Sequence, residues 1–353
     1  MSDRVVFSSV YNLPRHCIRV LSGMAIVAMV LVAPTPILGQ APSGPEPVLE
    51  DLRAVFQQPG LTVGALLQAV MDPGLDDRPA RAQVAAARLR VSGELDGGFR
   101  YDLQTNFAAT PSLLDARVGW VHNDAFAIDA GRFKTPFSRE FLTYAGSIDF
   151  VNRSRVVRAL APNRQLGVRL SGRLDEHVSW AAGGFTGGSN NVPGEPLLGV
   201  LRLEGSGIDV GEDGVLALAG QAGFGQDGAV GAGAGGNAFR GDGVLLGIDG
   251  RFTSGPLLVA AEYIRGDWET TLGAEGDADG LYATLGWHLQ ENHQILARWD
   301  RFRSVTALDA DDAIVLGYNV WPTSATEIQV NGVFPMRDSG LPYQLLVNFQ
   351  IGF

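Results

Sequence analysis

Cysteine and lysine are almost missing from this chain. Of 353 residues, one is a cysteine, Cys17, and one is a lysine, Lys134, beside 26 arginines. A lone cysteine excludes a disulfide scaffold and a cysteine-held metal cluster. Charge is scarce too, at 18% of residues where soluble domains carry roughly 25%. The balance is acidic, with a formal net charge of −11, which argues against a nucleic-acid binder. Beyond residue 60 no run of 18 apolar residues occurs, so no spanning helix is available there. Glycine is what the chain has in excess: 46 residues, nearly twice the usual share of about 7%. Hydrophobic residues make up 46%, too many for a disordered chain.

The first forty residues read as an export signal. Arg4, Arg15 and Arg19 precede an uncharged apolar run over 20–33; Pro34 and Pro36 follow, then Gly39, Gln40 and Ala41. A basic start, a short apolar stretch and small residues beyond it describe a secretory signal peptide over 1–39. A transmembrane anchor is the competing reading, and it needs roughly 20 apolar residues. Pro42 hinders a cut after Ala41, so the expected bond is Gly39–Gln40. Cys17 precedes the apolar run, where a lipoprotein cysteine cannot be. Losing Arg4, Arg15, Arg19 and Asp3 takes the net charge to −13.

The remainder alternates with period two. Tyr343, Leu345, Val347, Phe349, Ile351 and Phe353 alternate with Gln344, Leu346, Asn348, Gln350 and Gly352. That is a strand with one side in oil and the other facing water. The same pattern recurs over 97–107, 165–175 and 281–290. Sixteen such segments, uncertain by two, fall near 61–70, 83–94, 97–109, 113–122, 125–134, 164–175, 177–186, 196–206, 215–225, 242–253, 256–265, 280–290, 293–302, 312–321, 324–334 and 342–353. Helical periodicity fits only 50–57.

Connections alternate in length. Tight joints at 123–124, 175–176, 254–255, 291–292 and 322–323 alternate with longer links at 71–82, 135–163, 187–195, 226–241, 266–279, 303–311 and 335–341. Two links break the rule: 110–112 is short where a loop is due, and 207–214 is long where a turn is due. The pattern predicts an all-β fold, a transmembrane antiparallel up-and-down barrel of about sixteen strands. A secreted soluble β-protein is the alternative. It would have to turn every apolar stripe into one small core, and no blade-length repeat is visible. Trp120, Trp180, Trp321, Phe334, Tyr343 and Phe353 sit near strand ends, as interfacial girdles require. The domain reading is a signal peptide over 1–39, a short periplasmic segment over 40–60 and the barrel over 61–353.

Two stretches carry a family resemblance. One is Gly131-Arg132-Phe133-Lys134-Thr135-Pro136-Phe137, running through Ser138 and Glu140 to Leu142-Thr143; the other is Ala159-Leu160-Ala161-Pro162-Asn163-Arg164-Gln165-Leu166-Gly167-Val168. Together they resemble the phosphate-selective porin O and P family of Gram-negative outer membranes, with its G-x-F-K-x-P-F segment, a loop, and an R-x-L-G-V strand start. Phe353 resembles the terminal aromatic assembly signal of outer-membrane proteins. The resemblance implies a 16-stranded barrel in the outer membrane, usually a homotrimer, passing anions by diffusion. Its phosphate-specific members are lysine-rich at the mouth and in the pore. This chain has Lys134 alone, in a motif position that suits a turn-proximal structural role as readily as a pore role.

Link 135–163 is the third on the long side, the one that folds inward in porins generally. It contains Arg139, Arg153, Arg155 and Arg158, with Arg164 just after it, against Glu140 and Asp149. Arg139, Arg153, Arg155, Arg158, Arg164 and Lys134 are the candidate constriction residues, since rings of basic residues suit an anion pore. The alternative is that Arg153, Arg155 and Arg158 pair with acids on the wall and only fix the loop. Arg88, Arg90, Arg100, Arg117, Arg169, Arg173, Arg251 and Arg298 fall on polar strand faces and are read as lumen-facing, because a lipid-facing Arg costs up to ~2–4 kcal/mol at the midplane. Asp102, Asp115, Asp249, Glu262, Asp300 and Glu327 share that face and neutralise some of them.

An enzyme would need a constellation that is hard to find. No G-x-S-x-G elbow and no H-E-x-x-H occurs, and His122, His177, His288 and His293 are scattered. The glycine-rich stretch 223–243 lacks a Gly-Lys-Ser/Thr ending and reads as an outer loop. Asp277, Asp279, Asp309, Asp311 and Asp312 fall in long-side links and fit no EF-hand spacing, so solvated loop charge is preferred over a Ca²⁺ or lipopolysaccharide-cation site. No catalytic residue, cofactor or metal is implied. The reading is an anion-preferring outer-membrane porin, with phosphate or polyphosphate as a possible solute. A general non-selective porin and a barrel lipase are the alternatives. Expected partners are small anionic solutes, outer-membrane lipid and lipopolysaccharide, the barrel-assembly machinery and two further copies of the chain; nucleic acid is not among them. N-terminal sequencing of outer-membrane material should begin at Gln40 or within a few residues; an intact Met1 there would defeat the signal-peptide reading.

Overall fold

The computed structural model describes residues 20–22, 24, 57, 58, 60–75, 78–108, 110, 112–186, 197–226, 229, 230, 237–270, 275–304, 309–336 and 341–353. Of the export signal, only 20–22 and 24 are described, as helix. The rest of 1–39 and most of 40–60 lie outside the described residues, as does 50–57 except Gln57.

Sixteen long strands run in chain order: β1 (Leu61–Asp72), β2 (Arg81–Leu95), β3 (Phe99–Asn106), β4 (Ser112–Asn123), β5 (Phe126–Lys134), β6 (Arg164–Arg173), β7 (Val178–Phe185), β8 (Leu197–Val210), β9 (Gly214–Gln226), β10 (Asn237–Ser254), β11 (Leu257–Thr270), β12 (Glu275–Gln290), β13 (His293–Arg303), β14 (Asp311–Thr323), β15 (Thr326–Met336) and β16 (Gln344–Gly352). Two-residue pieces, Gln57–Gln58 and Ala229–Val230, pair against β1 and β10. Each strand lies antiparallel to the next, and β16 returns to β1 with Val347 opposite Met71 and Gly352 opposite Leu66. Phe353 N–H donates to the Ala65 carbonyl at 3.2 Å, and Ala65 N–H donates to the Phe353 carbonyl at 3.0 Å. The sheet is therefore closed. Closure is what lipid demands, because an open edge would leave amides and carbonyls without partners.

The alternation read from the sequence sets inside and outside. On β16, Phe349 and Ile351 are 45% and 52% exposed, while Asn348 and Gln350 are 1% and 8% exposed. The apolar set faces outward and the polar set packs inward, the reverse of a soluble barrel.

Every one of the sixteen expected segments has a strand. The long sides differ from expectation in extent. β11 continues to Thr270 and β12 starts at Glu275, so the expected loop 266–279 is mostly strand. Asp277 and Asp279 accordingly sit on β12, and Asp311 and Asp312 on β14, not in loops. Period two is masked there by glycines and by acids on both faces, which a lipid-band criterion discards once the strand rises above the membrane. The expected exception at 207–214 disappears, since β8 reaches Val210 and β9 resumes at Gly214. The short long-side link remains short, spanning only 107–111 between β3 and β4. Link 187–195 lies outside the described residues; of the expected outer loop 223–243, residues 223–226, 229, 230 and 237–243 are strand and the rest lies outside the described residues.

Gly131, the first residue of the shared motif, has φ +130° on β5. A Cβ there would come within 2.1 Å of the Ala116 carbonyl on β4. Both facts require glycine. Gly131→Val should lower the yield of heat-modifiable barrel, read as the fraction migrating faster before boiling. Deleting Phe353 should lower it as well, by removing its two hydrogen bonds to Ala65 at the seam. Wild-type yield for either variant would contradict these roles.

Candidate constriction of the barrel lumen

The link 135–163 enters the lumen from the end of β5 and leaves to β6. Two short helices shape it, α1 (Arg139–Leu142) and α2 (Arg155–Leu160). Ser138 and Ser154 cap them, their side-chain oxygens accepting from Phe141 N and Val157 N. Capping matters because a backbone turned into the barrel loses bulk water as a partner.

The loop is a core for one half of the lumen. Its Phe137, Phe141, Val156, Val157 and Leu160 pack against inward side chains of the wall, including Phe133, Leu198, Leu245, Ile264, Tyr282 and Phe302. Phe150 makes a second contact with Leu296 and Val315. These lumen-facing apolar residues belong to strands whose inner face is apolar at the loop level and polar below it.

Polar wall residues hold the loop's edge. Gln68 and Gln350 donate to the Ala145 and Gly146 carbonyls at 3.2 and 2.9 Å. Gln329 and Asn319 donate to the Ile148 and Asp149 carbonyls at 2.9 Å each, and Asn331 accepts from Val151 N at 2.7 Å. Ionic contacts complete the anchorage. Arg139 meets Asp249 at 2.7 Å and Glu204 at 3.2 Å; Arg155 meets Asp311 at 3.0 Å. Arg251 meets Asp149 at 2.8 Å, and Arg298 meets Glu140 at 3.3 Å while lying over the Phe150 ring. Burial pushes the Glu140 carboxyl above its ordinary range, against the pull of Arg298.

With the loop on that side, open space remains along the opposite wall. A cavity of about 230 Å³ is bordered by Arg90, Asp102, Arg117, Lys134, Tyr144 and Arg164. Another of about 280 Å³ is bordered by Gln68, Asp72, Arg81, Asn152 and Asn348.

Residues 70–196 match the model of the family described as phosphate-selective porin O and P. The chain is an outer-membrane porin. Solved structures agree in fold: a trimer form of OmpT from Vibrio cholerae at 12% identity, covering 84% of this chain and 100% of that chain with a TM-score of 0.58; an anion-selective porin from Comamonas acidovorans at 12%, 84% and 100%, TM-score 0.61; and OprB from Pseudomonas putida at 10%, 83% and 94%, TM-score 0.64. A search of curated proteins found no match. The family match spans the whole inward loop and the strands on both sides of it.

Within the porin, the candidate arginines divide by partner. Arg90 forms a bidentate pair with Asp102 at 2.9 Å on both arms. Asp129 on β5 receives Arg100 at 2.8 Å, Arg169 at 2.6 Å and Arg117 at 3.8 Å. Arg164 pairs with Asp115 at 3.0 Å. Arg173 sits at a turn and donates to the Glu176 carbonyl at 2.8 Å. Among the described residues seven cations meet no carboxylate within ion-pair distance: Arg81, Arg88, Arg132, Lys134, Arg153, Arg158 and Arg173; Arg88, Lys134, Arg153 and Arg158 are the ones on or beside the inward loop. Arg153 donates to the Glu140 and Thr143 carbonyls at 2.8 and 2.7 Å. Burial is the main cause holding the Arg153 guanidinium below its usual range. Arg158 is exposed, and its guanidinium has no hydrogen-bond partner among the described residues; the surrounding walls still displace enough bulk solvent to lower it. Both stay cationic at neutral pH, since guanidinium does not deprotonate in proteins.

Lys134 is not near a turn. It ends β5 at the loop entrance, and its ammonium donates to the carbonyls of Phe141, Leu142 and Thr143 at 2.6, 3.1 and 2.9 Å. All three of its donors are used to tie down the end of α1.

Two residues central to this arrangement escaped the sequence reading. Asp129 serves three arginines, and Arg202 bridges Asp249 at 2.6 Å and Glu204 at 3.0 Å. Their alternation was visible; their convergence across strands was not. Lys134→Met should leave barrel yield unchanged and make the single-channel current noisier, because the 141–143 segment loses three charge-assisted bonds. A quiet, wild-type current trace would show that the ammonium restrains nothing.

Proposed function

We propose that this porin passes small solutes by passive diffusion with a preference for anions, and without tight phosphate binding. The observation that carries the reading is the lack of carboxylate partners at Arg88, Lys134, Arg153 and Arg158. Paired arginines present little net field to a permeating ion. The loop carries four arginines and two acids, and after pairing the surplus resides on Arg153 and Arg158. Inward acids without a cation are fewer and better hidden. Glu262 is 1% exposed beneath the loop, and Glu327 is 5% exposed against Gln350. Low-dielectric walls concentrate the surplus positive field in the remaining passage. Anion selectivity named for the Comamonas acidovorans structure is in keeping with this.

Tight phosphate binding calls for several mobile donors converging on one anion. The only lysine spends its ammonium on backbone carbonyls, and most lumen arginines are committed to acids. The polypeptide is read as a porin and not as an enzyme, because no acid–base–nucleophile set converges on either lumen cavity. A homotrimer in the outer membrane follows the trimer form of OmpT. Removal of 1–39, a periplasmic segment at 40–60, lipopolysaccharide at the outer rim and delivery by the barrel-assembly machinery through Phe353 belong to the same reading.

Zero-current potentials in a KCl gradient test the preference. The wild type should be anion-selective. Unscreened charges about 4 Å from an ion are worth ~1–4 kcal/mol between water-like and surface-like dielectric. Replacing Arg88, Arg153 and Arg158 together with Gln should therefore cut the chloride-to-potassium permeability ratio several-fold. Heat-modifiability verifies that the triple variant folds. A cation-selective wild type would leave a general or cation-preferring porin. Chloride block by micromolar phosphate would show that arginine alone suffices for a phosphate site.

A further inference from the structure

We propose that the loop-side face of the constriction holds a subsite for small carboxylates with an apolar body, such as an aromatic or branched-alkyl acid. This rests on the anion-preferring reading and names which anions the same passage favours.

Two features meet at one place. The first is Arg158 on α2, exposed, its guanidinium without a hydrogen-bond or ion-pair partner among the described residues. Its neighbours are committed: Arg155 to Asp311, and Arg298 to Glu140 and Asp300. Arg153 commits its Nε and Nη2 to loop carbonyls, so of the three loop arginines here Arg158 offers the guanidinium fork with every donor free, the geometry that takes a carboxylate two bonds at a time.

The second is an inward apolar shelf on the facing wall. Register places Val315 beside Arg298 on one side and Val333 on the other, and Leu346 beside Asn331. Ala313, Val315, Val333 and Leu346 all point inward; Val315 is covered by Phe150 of the loop, and Val333, only partly buried, gives the shelf its open edge. A cavity of about 100 Å³ is bordered by Arg153, Arg155 and Arg158 on the loop and by Val315, Val333 and Leu346 on the wall. It shares Asn152, Gln344 and Leu346 with the 280 Å³ cavity along β1, β2 and β16.

This pairing discriminates among anions. An inorganic anion gains the guanidinium and the amides of Asn152, Asn331 and Gln344 at the cavity's edge, but nothing from Val333 and its apolar neighbours. A carboxylate with a ring gains the guanidinium and removes apolar surface from water at the shelf. Loss of only two methylene equivalents of apolar surface corresponds to roughly ten-fold in affinity. A neutral aromatic alcohol gains the shelf alone, and an ammonium is repelled by the arginines.

Planar bilayers holding the purified mature porin provide the test. The KCl zero-current potential is measured first. Benzoate, acetate or benzyl alcohol is then added on the loop side, and block of chloride current is titrated. Benzoate should block at a concentration at least about ten-fold below acetate, with benzyl alcohol inert. Arg158→Gln should weaken benzoate block several-fold. Val333→Thr with Leu346→Asn should bring benzoate down to the level of acetate while leaving the zero-current potential unchanged. Equal block by benzoate and acetate in the wild type overturns the subsite whatever the variants do, as does benzoate block unaffected by Arg158→Gln in a heat-modifiable barrel. A cation-selective pore that still prefers benzoate over acetate would defeat the anion reading and keep the subsite; an anion-selective pore without that preference would do the opposite.

Discussion

Backbone groups in a lipid layer have no water to turn to, and the architecture follows from that one constraint. Each strand must pair on both sides, so the sheet must close. Here closure rests on the last strand, where β16 meets β1 and the terminal Phe353 exchanges two hydrogen bonds with Ala65. Closing a sheet of sixteen strands creates a second problem. The enclosed space is wider than its own side chains can fill. The inward loop is the solution, since it fills part of that space and leaves cavities lined by polar and charged side chains beside it.

The loop is held by three different kinds of contact, and each does something the others cannot. Apolar packing of Phe137, Phe141, Val156, Val157 and Leu160 makes the contact dense but indifferent to small slides. Amide side chains of Gln68, Asn319, Gln329, Asn331 and Gln350, on four consecutive strands of the closed sheet, fix its height on the wall. Arg139 and Arg155 on the loop, answered by Asp249 and Asp311, set its lateral position. A buried ion pair broken on one side leaves an uncompensated charge and is costly. The pairs therefore act more as registration than as net stabilisation. Lys134 closes the arrangement from the strand that launches the loop, which is why the single lysine of the chain stands there and not in open water.

Strand existence was legible because lipid imposes a stricter pattern than water does. Tyr343 to Phe353 alternates with one fault, the inward Leu346, and the structure pairs residues 344–352 accordingly. Strand ends were less legible where the constraint lapses. Above the bilayer, Asp267, Asp277 and Asp279 are satisfied by Arg265 and Arg303, so acids and glycines build strand there without an apolar face. The seam between loop and wall was invisible for a related reason. Leu245, Ile264 and Tyr282 break the expected polar inner face, and only the loop's own apolar residues explain them. Among the candidate arginines, direction was readable from period two, but partnership was not. Which acid meets Arg100 depends on Asp129, two strands away.

Charge pairing converts an acidic chain into a passage whose surplus is positive. A net charge of −11 for the sequence says nothing by itself about the constriction, since acids at the outer rim are screened within about 8 Å at physiological salt. What an ion meets is the remainder after local pairing. Asp102, Asp115 and Asp129 cancel Arg90, Arg164 and the group of Arg100, Arg117 and Arg169 only in part, and the loop's own surplus falls on Arg153 and Arg158. Those two differ in kind. Arg153 is stitched into the loop backbone and lends its field without lending its donors. Arg158 keeps its donors free beside an apolar wall. Selectivity by sign can therefore come from both, while selectivity among anions falls mainly to the one whose whole guanidinium still has hydrogen bonds to give.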